Sequence, residues 1–176
     1  QTRDSLFDQL EKSKRPLLLI GGGVRSAQAK ELFLTFAHKL QIPVVSSLMA
    51  IGTIPTKDPL YIGMIGSYGN RWANLAMGRC DFLLVLGSRL DIRQTGSDVA
   101  AFKGERNIFH IDCQAGEINN RIKGCRGIVS DLRSFLTSAV RLLRGRTFSK
   151  RKEWLDEIYK LRQTWPDTKE SQGVSG

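Results

Sequence analysis

Two arginines and an aspartate crowd the stretch Gly87-Ser88-Arg89-Leu90-Asp91-Ile92-Arg93-Gln94-Thr95-Gly96, directly after the apolar run Phe82-Leu83-Leu84-Val85-Leu86. Guanidinium forks match diphosphate oxygens two at a time, so Arg89 and Arg93 are candidate pyrophosphate contacts, with Asp91 placed to orient one of them. The same residues could instead form an arginine–aspartate surface cluster that satisfies loop carbonyls. Gly21-Gly22-Gly23 follows a second apolar run, Leu17 to Ile20, and precedes a helical pattern. There, backbone N–H groups and the positive end of a helix dipole can face a phosphate. A triple glycine equally suits a tight turn with close helix packing, and the GxGxxG spacing of the dinucleotide fingerprint is absent. Asp112 ends the run Ile108-Phe109-His110-Ile111, where a carboxylate can accept from ribose hydroxyls or an adenine amine, or cap a helix beginning near Gln114. His110 reads as a packed core histidine.

Groups that would do bond-making chemistry are not assembled. The chain has no GxSxG elbow, no HExxH and no Walker lysine loop. Cys80, Cys113 and Cys125 form no CxxC pair and only two histidines are present, so neither a disulfide framework nor a structural zinc site is encoded. No catalytic residue and no metal ligand is assigned, and cofactor-shaped loops without a nucleophile or base point to a binding module.

The elements that must position these loops follow from periodicity. Leu6, Phe7 and Leu10 share one side of a short leading helix over 4–13. Leu17–Ile20, Val44–Val45, Phe82–Leu86, Ile108–Ile111 and Gly127–Val129 are short strands, apolar throughout. Ala29, Leu32, Phe33, Phe36, Ala37 and Leu40 predict a helix over 26–40; further helices are expected over 131–143 and 149–163. Apolar strands alternating with amphipathic helices imply an α/β, doubly wound parallel sheet covered on both faces. The segment 53–69, with Gly63, Gly66, Gly69, Pro55 and Pro59, is expected to be a long ordered loop.

At 176 residues with 41% apolar content, the chain suits one compact domain. No apolar run approaches the roughly 18 to 20 residues of a membrane span and no signal-peptide order is visible, so a cytoplasmic protein with reduced thiols is expected. The net charge of +10 is concentrated late: residues 1–118 carry 14 basic and 11 acidic side chains, residues 119–176 carry 13 and 6. No helix-turn-helix, finger or aromatic-studded basic strand accompanies it, so nucleic acid is not an expected partner. A solvated helix face, or one docking onto another domain, accounts for the excess.

In order and spacing, several pieces resemble the central domain of thiamine-diphosphate-dependent enzymes, most closely acetolactate synthase. They are PLLLIGGG (16–23), IPVVSSLMAIG (42–52), GMIGSYG (63–69), Ala73-Asn74, DFLLVLGSRLD (81–91) and His110-Ile111-Asp112. The resemblance covers about residues 15–140 and implies a six-stranded parallel sheet of Rossmann-like type. Arg89 to Gly96 is similar to the RxDxRxTG stretch of the FAD-containing members, so FAD is the favoured ligand, with ADP or none as alternatives. Carried over by position, Gly21, Gly22 and Gly23 would approach the FAD phosphates and ribose, Ser47 and Leu48 the flavin side, and Ile62, Gly63, Met64 and Ile65 the loop along the cofactor. Gly87, Ser88, Arg89, Asp91 and Arg93 would contact the dinucleotide chain, and Asp112 and Asp131 its adenosine end. The chain departs from the family at Ile65, where many acetolactate synthases have histidine, and at Arg71-Trp72.

In this family thiamine diphosphate and magnesium are held by N- and C-terminal domains whose motifs do not occur here. The resemblance therefore implies a middle domain at 15–145 with a linker helix at 1–14, a C-terminal helix at 146–164 and a linker tail at 165–176. It would pair with those two domains in a homo-oligomeric parent and be inactive alone. Two other readings compete: a free-standing NAD- or FAD-dependent protein, and a nucleotide-free spacer.

Overall fold

A computed structural model describes residues 2–166; most of the expected linker tail, 167–176, lies outside the described residues. The chain runs through α1 (Thr2–Lys12), β1 (Pro16–Ile20), α2 (Gly23–Ser26), α3 (Lys30–Leu40), β2 (Val44–Ser46), β3 (Tyr61–Met64), α4 (Arg71–Arg79) and β4 (Phe82–Leu86). It continues through α5 (Ile92–Thr95), α6 (Val99–Lys103), β5 (Asn107–Asp112), β6 (Arg126–Val129), α7 (Leu132–Leu142) and α8 (Lys152–Thr164). All strand pairings are parallel, in the order β3-β2-β1-β4-β5-β6. The fold is a six-stranded Rossmann-like α/β sheet.

The central strands are buried on both faces, which is why they read as unbroken apolar runs. Leu18, Ile20, Phe82, Leu84 and Leu86 join Phe7, Phe33, Phe36 and Phe135 in one core. Leu17, Leu19, Leu83 and Val85 face the other way, against Trp72, Ala76 and Met77 of α4 and Trp154, Ile158 and Leu161 of α8. The Trp154 indole, 2% exposed, donates to the Pro16 carbonyl at 2.9 Å and so fixes α8 against the start of β1.

Two expectations are corrected. The helix predicted over 26–40 is broken: α2 ends after one turn, Gln28 turns into the left-handed region at φ 51°, and α3 begins at Lys30. The apolar spacing from Ala29 onward survives because the break precedes it. The segment 53–69 is not all loop, since Tyr61–Met64 forms β3 on the sheet edge. Its signal was masked by Gly63, which sits at φ 137° beside a register shift between Val44 and Val45. Gly63 is required there: a Cβ would lie 2.3 Å from the Asn70 side-chain oxygen, which accepts the Met64 amide.

Candidate functional site

The strand order reverses between β1 and β4, and there the carboxyl ends of neighbouring strands open a crevice. Its floor is built by glycines. A Cβ on Gly21 would come 2.1 Å from the Gly87 carbonyl oxygen, and one on Gly23 would come 2.8 Å from the Gly87 Cα. The turns after β1 and β4 therefore pack backbone against backbone. The amides of Gly21 and Gly23 donate to the Leu86 and Gly87 carbonyls at 2.9 and 3.1 Å. The close-packing role weighed for the triple glycine is thus realised, and Gly22 lies under Met49, whose Cβ would be 3.1 Å from an added one.

Beside these turns lies a cleft of about 150 Å³ that gathers six of the expected residues: Ser47, Leu48, Met64, Ile65, Asp91 and Arg93. Met49, Gly66, Ser67, Tyr68 and Gln94 complete it and were not anticipated. Met49 and Tyr68 are 68% and 87% exposed, and large apolar side chains held out in glycine-rich loops were the available signal for them.

The loop carrying Arg93 is braced from several sides. Asp91 caps α5, its carboxylate accepting the Arg93 and Gln94 amides at 2.9 and 3.2 Å. Asp91 was expected to orient an arginine; its Oδ1 takes the role of helix cap, which local backbone amides favour. The Ser88 hydroxyl donates to Gln94 Oε1 at 2.6 Å, and the Ser67 amide donates to the Arg93 carbonyl at 2.9 Å. Arg121 donates to the Thr95 hydroxyl and the Gly96 carbonyl at 3.0 and 2.7 Å. The Gly66 end of the lining is held from α4, where the Asn74 side-chain amide both accepts from the Gly66 N–H and donates to the Gly66 carbonyl.

The remaining expected residues stand outside this lining. Arg89 is exposed and pairs with Glu117 at 3.4 Å. Asp112 is buried at the end of β5 and accepts the Gln114 amide at 2.9 Å in a turn, while the short helix that follows has Gln114 itself at its N-cap and no side-chain cap. Asp131 caps α7 by accepting the Ser134 amide. Ile62 gives its carbonyl to the Trp72 indole. The Arg71-Trp72 departure concerns packing: Arg71 stacks 3.6 Å from the Trp165 ring centroid, and Arg162 of α8 lies over Trp72.

Burial pushes the Cys80 thiol up to about 11, against the opposing charge of Arg106, and burial also raises Cys125, so both stay protonated. Among the described residues no group of three or more His, Cys, Asp or Glu could hold a metal ion, and no helix is long and apolar enough to cross a membrane.

Residues 4–139 match the family model of the thiamine pyrophosphate enzyme, central domain. The chain belongs to that family. Its relatives include the probable acetolactate synthase large subunit of Methanocaldococcus jannaschii, 36% identical over 88% of this chain and 26% of the relative. The acetolactate synthase large subunit of Lactococcus lactis is 34% identical over 95% and 28%, and that of Corynebacterium glutamicum 39% over 88% and 25%. The chain thus spans about a quarter of the length of the curated relatives it matches. Within this central domain, the cleft at the strand ends is where the expected site residues meet.

Proposed function

We propose that this central domain binds a dinucleotide, FAD before ADP, in the cleft at the strand ends, and serves an acetolactate-synthase-like carboligase or decarboxylase as a structural, non-catalytic module. The observation that carries the reading is the meeting of Ser47, Leu48, Met64, Ile65, Asp91 and Arg93 in one concavity at the carboxyl ends of β2 and β3, beside the loop that follows β4. The lining suits part of such a ligand: Leu48, Met49 and Tyr68 offer apolar surface for a planar ring, and Arg93 a guanidinium for a phosphate. The cleft is smaller than the roughly 300 Å³ of a small-ligand pocket, so the dinucleotide would extend from it along the open crevice past Gly21–Gly23 and Ser88 towards Asp112 and Asp131. The flavin would supply no redox step.

Thiamine diphosphate and magnesium would be held by N- and C-terminal domains of a cytoplasmic, homo-oligomeric parent, with residues 15–145 as the nucleotide-binding unit between them. Calorimetric titration of this chain with FAD, ADP and NAD tests the cofactor. FAD is expected to bind, and Arg93→Ala to weaken it by about 1.5–3 kcal/mol, roughly 10- to 150-fold. A second reading, a nucleotide-free spacer, is favoured by one observation: the Gly21 and Gly23 amides are spent on Leu86 and Gly87 rather than facing the crevice. Absence of binding by all three nucleotides would select it.

A further inference from the structure

Behind α5, on the face covered by α4, lies a second cavity of about 360 Å³, lined by Asn74, Met77, Gly78, Arg93, Ala101 and Arg106 among others. The contact between the Ser67 amide and the Arg93 carbonyl forms a wall between it and the strand-end cleft. No aspartate or glutamate stands among its lining residues, while two arginines do.

Arg106 is 8% exposed. Its Nη1 donates to the Met77 carbonyl at 2.5 Å and reaches the Cys80 sulfur at 3.5 Å, and Nη2 donates to the Gly78 carbonyl at 3.5 Å. Its guanidinium lies 5.3 Å from the centroid of the Phe102 ring. These bonds occupy three of its five N–H groups. Among the described residues neither Arg106 nor Arg93 has a carboxylate within ion-pair distance. Asp91 and Asp98, which flank α5 and α6 in sequence, are drawn to the amides they cap. The last carbonyls of α4 contribute only about half a negative charge against the full guanidinium charge of Arg106, so the cavity stays electropositive. A desolvated cation of this kind is costly without a counter-charge.

We propose that this cavity is a second ligand site, separate from the strand-end cleft, that accepts a small oxyanion, the phosphate or carboxylate of a compact metabolite. Its volume falls at the low end of the roughly 300–1,000 Å³ range of small-molecule sites.

The test is an amide NMR titration of the 176-residue chain at low ionic strength, with inorganic phosphate in one arm and malonate in the other. Saturable shifts at Gly78, Gly96, Ala101 and Phe102 are expected in at least one arm, and the arm that saturates identifies the oxyanion. Ala101→Glu sets a carboxylate at the exposed lip without touching the core, and Arg106→Lys keeps the charge but loses the fork; each is expected to weaken binding at least tenfold. If Arg106→Lys fails to fold, Ala101→Glu decides alone. Shifts that rise linearly, that persist unchanged in Ala101→Glu, or that centre on Tyr68 in the other cleft would overturn the proposal. Since no nucleotide is added, that failure is distinct from failure of the FAD reading.

Discussion

His110 Nε2 lies 2.8 Å from the carbonyl oxygen of Ser88. A carbonyl only accepts, so this nitrogen carries the proton, and Nδ1 is left as a buried lone pair with no partner. Burial dominates the lowering of the His110 pKa below 6.5, opposed by the Ser88 bond and the charges of Asp112 and Glu117. The core-histidine reading holds, and the residue ties β5 to the loop that carries Arg93.

A pH dependence of stability follows from this pair. The unfolded chain takes up a proton at His110 near pH 6.5 while the folded chain resists it, so the contribution is complete above that pH. It is lost as pH falls from 6.5 towards the folded value, by at most about 1.4 kcal/mol per pH unit. Urea midpoints from pH 7.5 to 5 should fall more steeply for the wild-type chain than for His110→Gln, which cannot take the proton. Parallel profiles would remove His110 as the cause.

Gly21, in the turn after β1, and Gly52, in the loop after β2, set opposite tolerances for alanine. Gly21→Ala drives a Cβ to 2.1 Å from a backbone oxygen that has no room to retreat, and should cost about 3 kcal/mol or prevent folding. Gly52→Ala meets nothing within 4 Å and bears only the strain of φ 82°, about 1–2 kcal/mol. Thermal denaturation of both variants gives the comparison, and equal losses would contradict the backbone packing described for Gly21.

Asp91 and Asp131 should behave as helix caps. Asp131→Ala leaves the Ser134 amide without its acceptor and should cost about 1 kcal/mol, whereas Asp131→Asn should be nearly neutral. The same pair of changes at Asp91 should give the same ranking. A large loss for both asparagine variants in urea unfolding would show that charge, rather than capping, matters at these positions.

Trp154 anchors α8. Trp154→Ala is expected to cost about 3–5 kcal/mol by opening the core against β1 and α4. Trp154→Phe should cost about 1–3 kcal/mol, chiefly for the Pro16 carbonyl left without a donor. If α8 docks only loosely, both variants will unfold at the wild-type urea midpoint.

The sequence alone determined the parallel sheet, because strands buried on both faces must be apolar at every position, as in Leu17–Ile20 and Phe82–Leu86. It also marked the two turns at the strand reversal, since only glycine permits their approach. Tertiary structure decided what local pattern could not express. Tyr61–Met64 became a strand because β2 offered it an edge, although its glycine reads as loop. Asp91, Asp112 and Asp131 were legible as hydrogen-bond acceptors, and one oxygen of each takes a backbone amide two or three residues on, a local partner that a residue's type does not name. Arg106 was silent in the sequence for the complementary reason: its burial beside Met77 and Phe102 joins segments distant along the chain, and only their packing withdraws its charge from water.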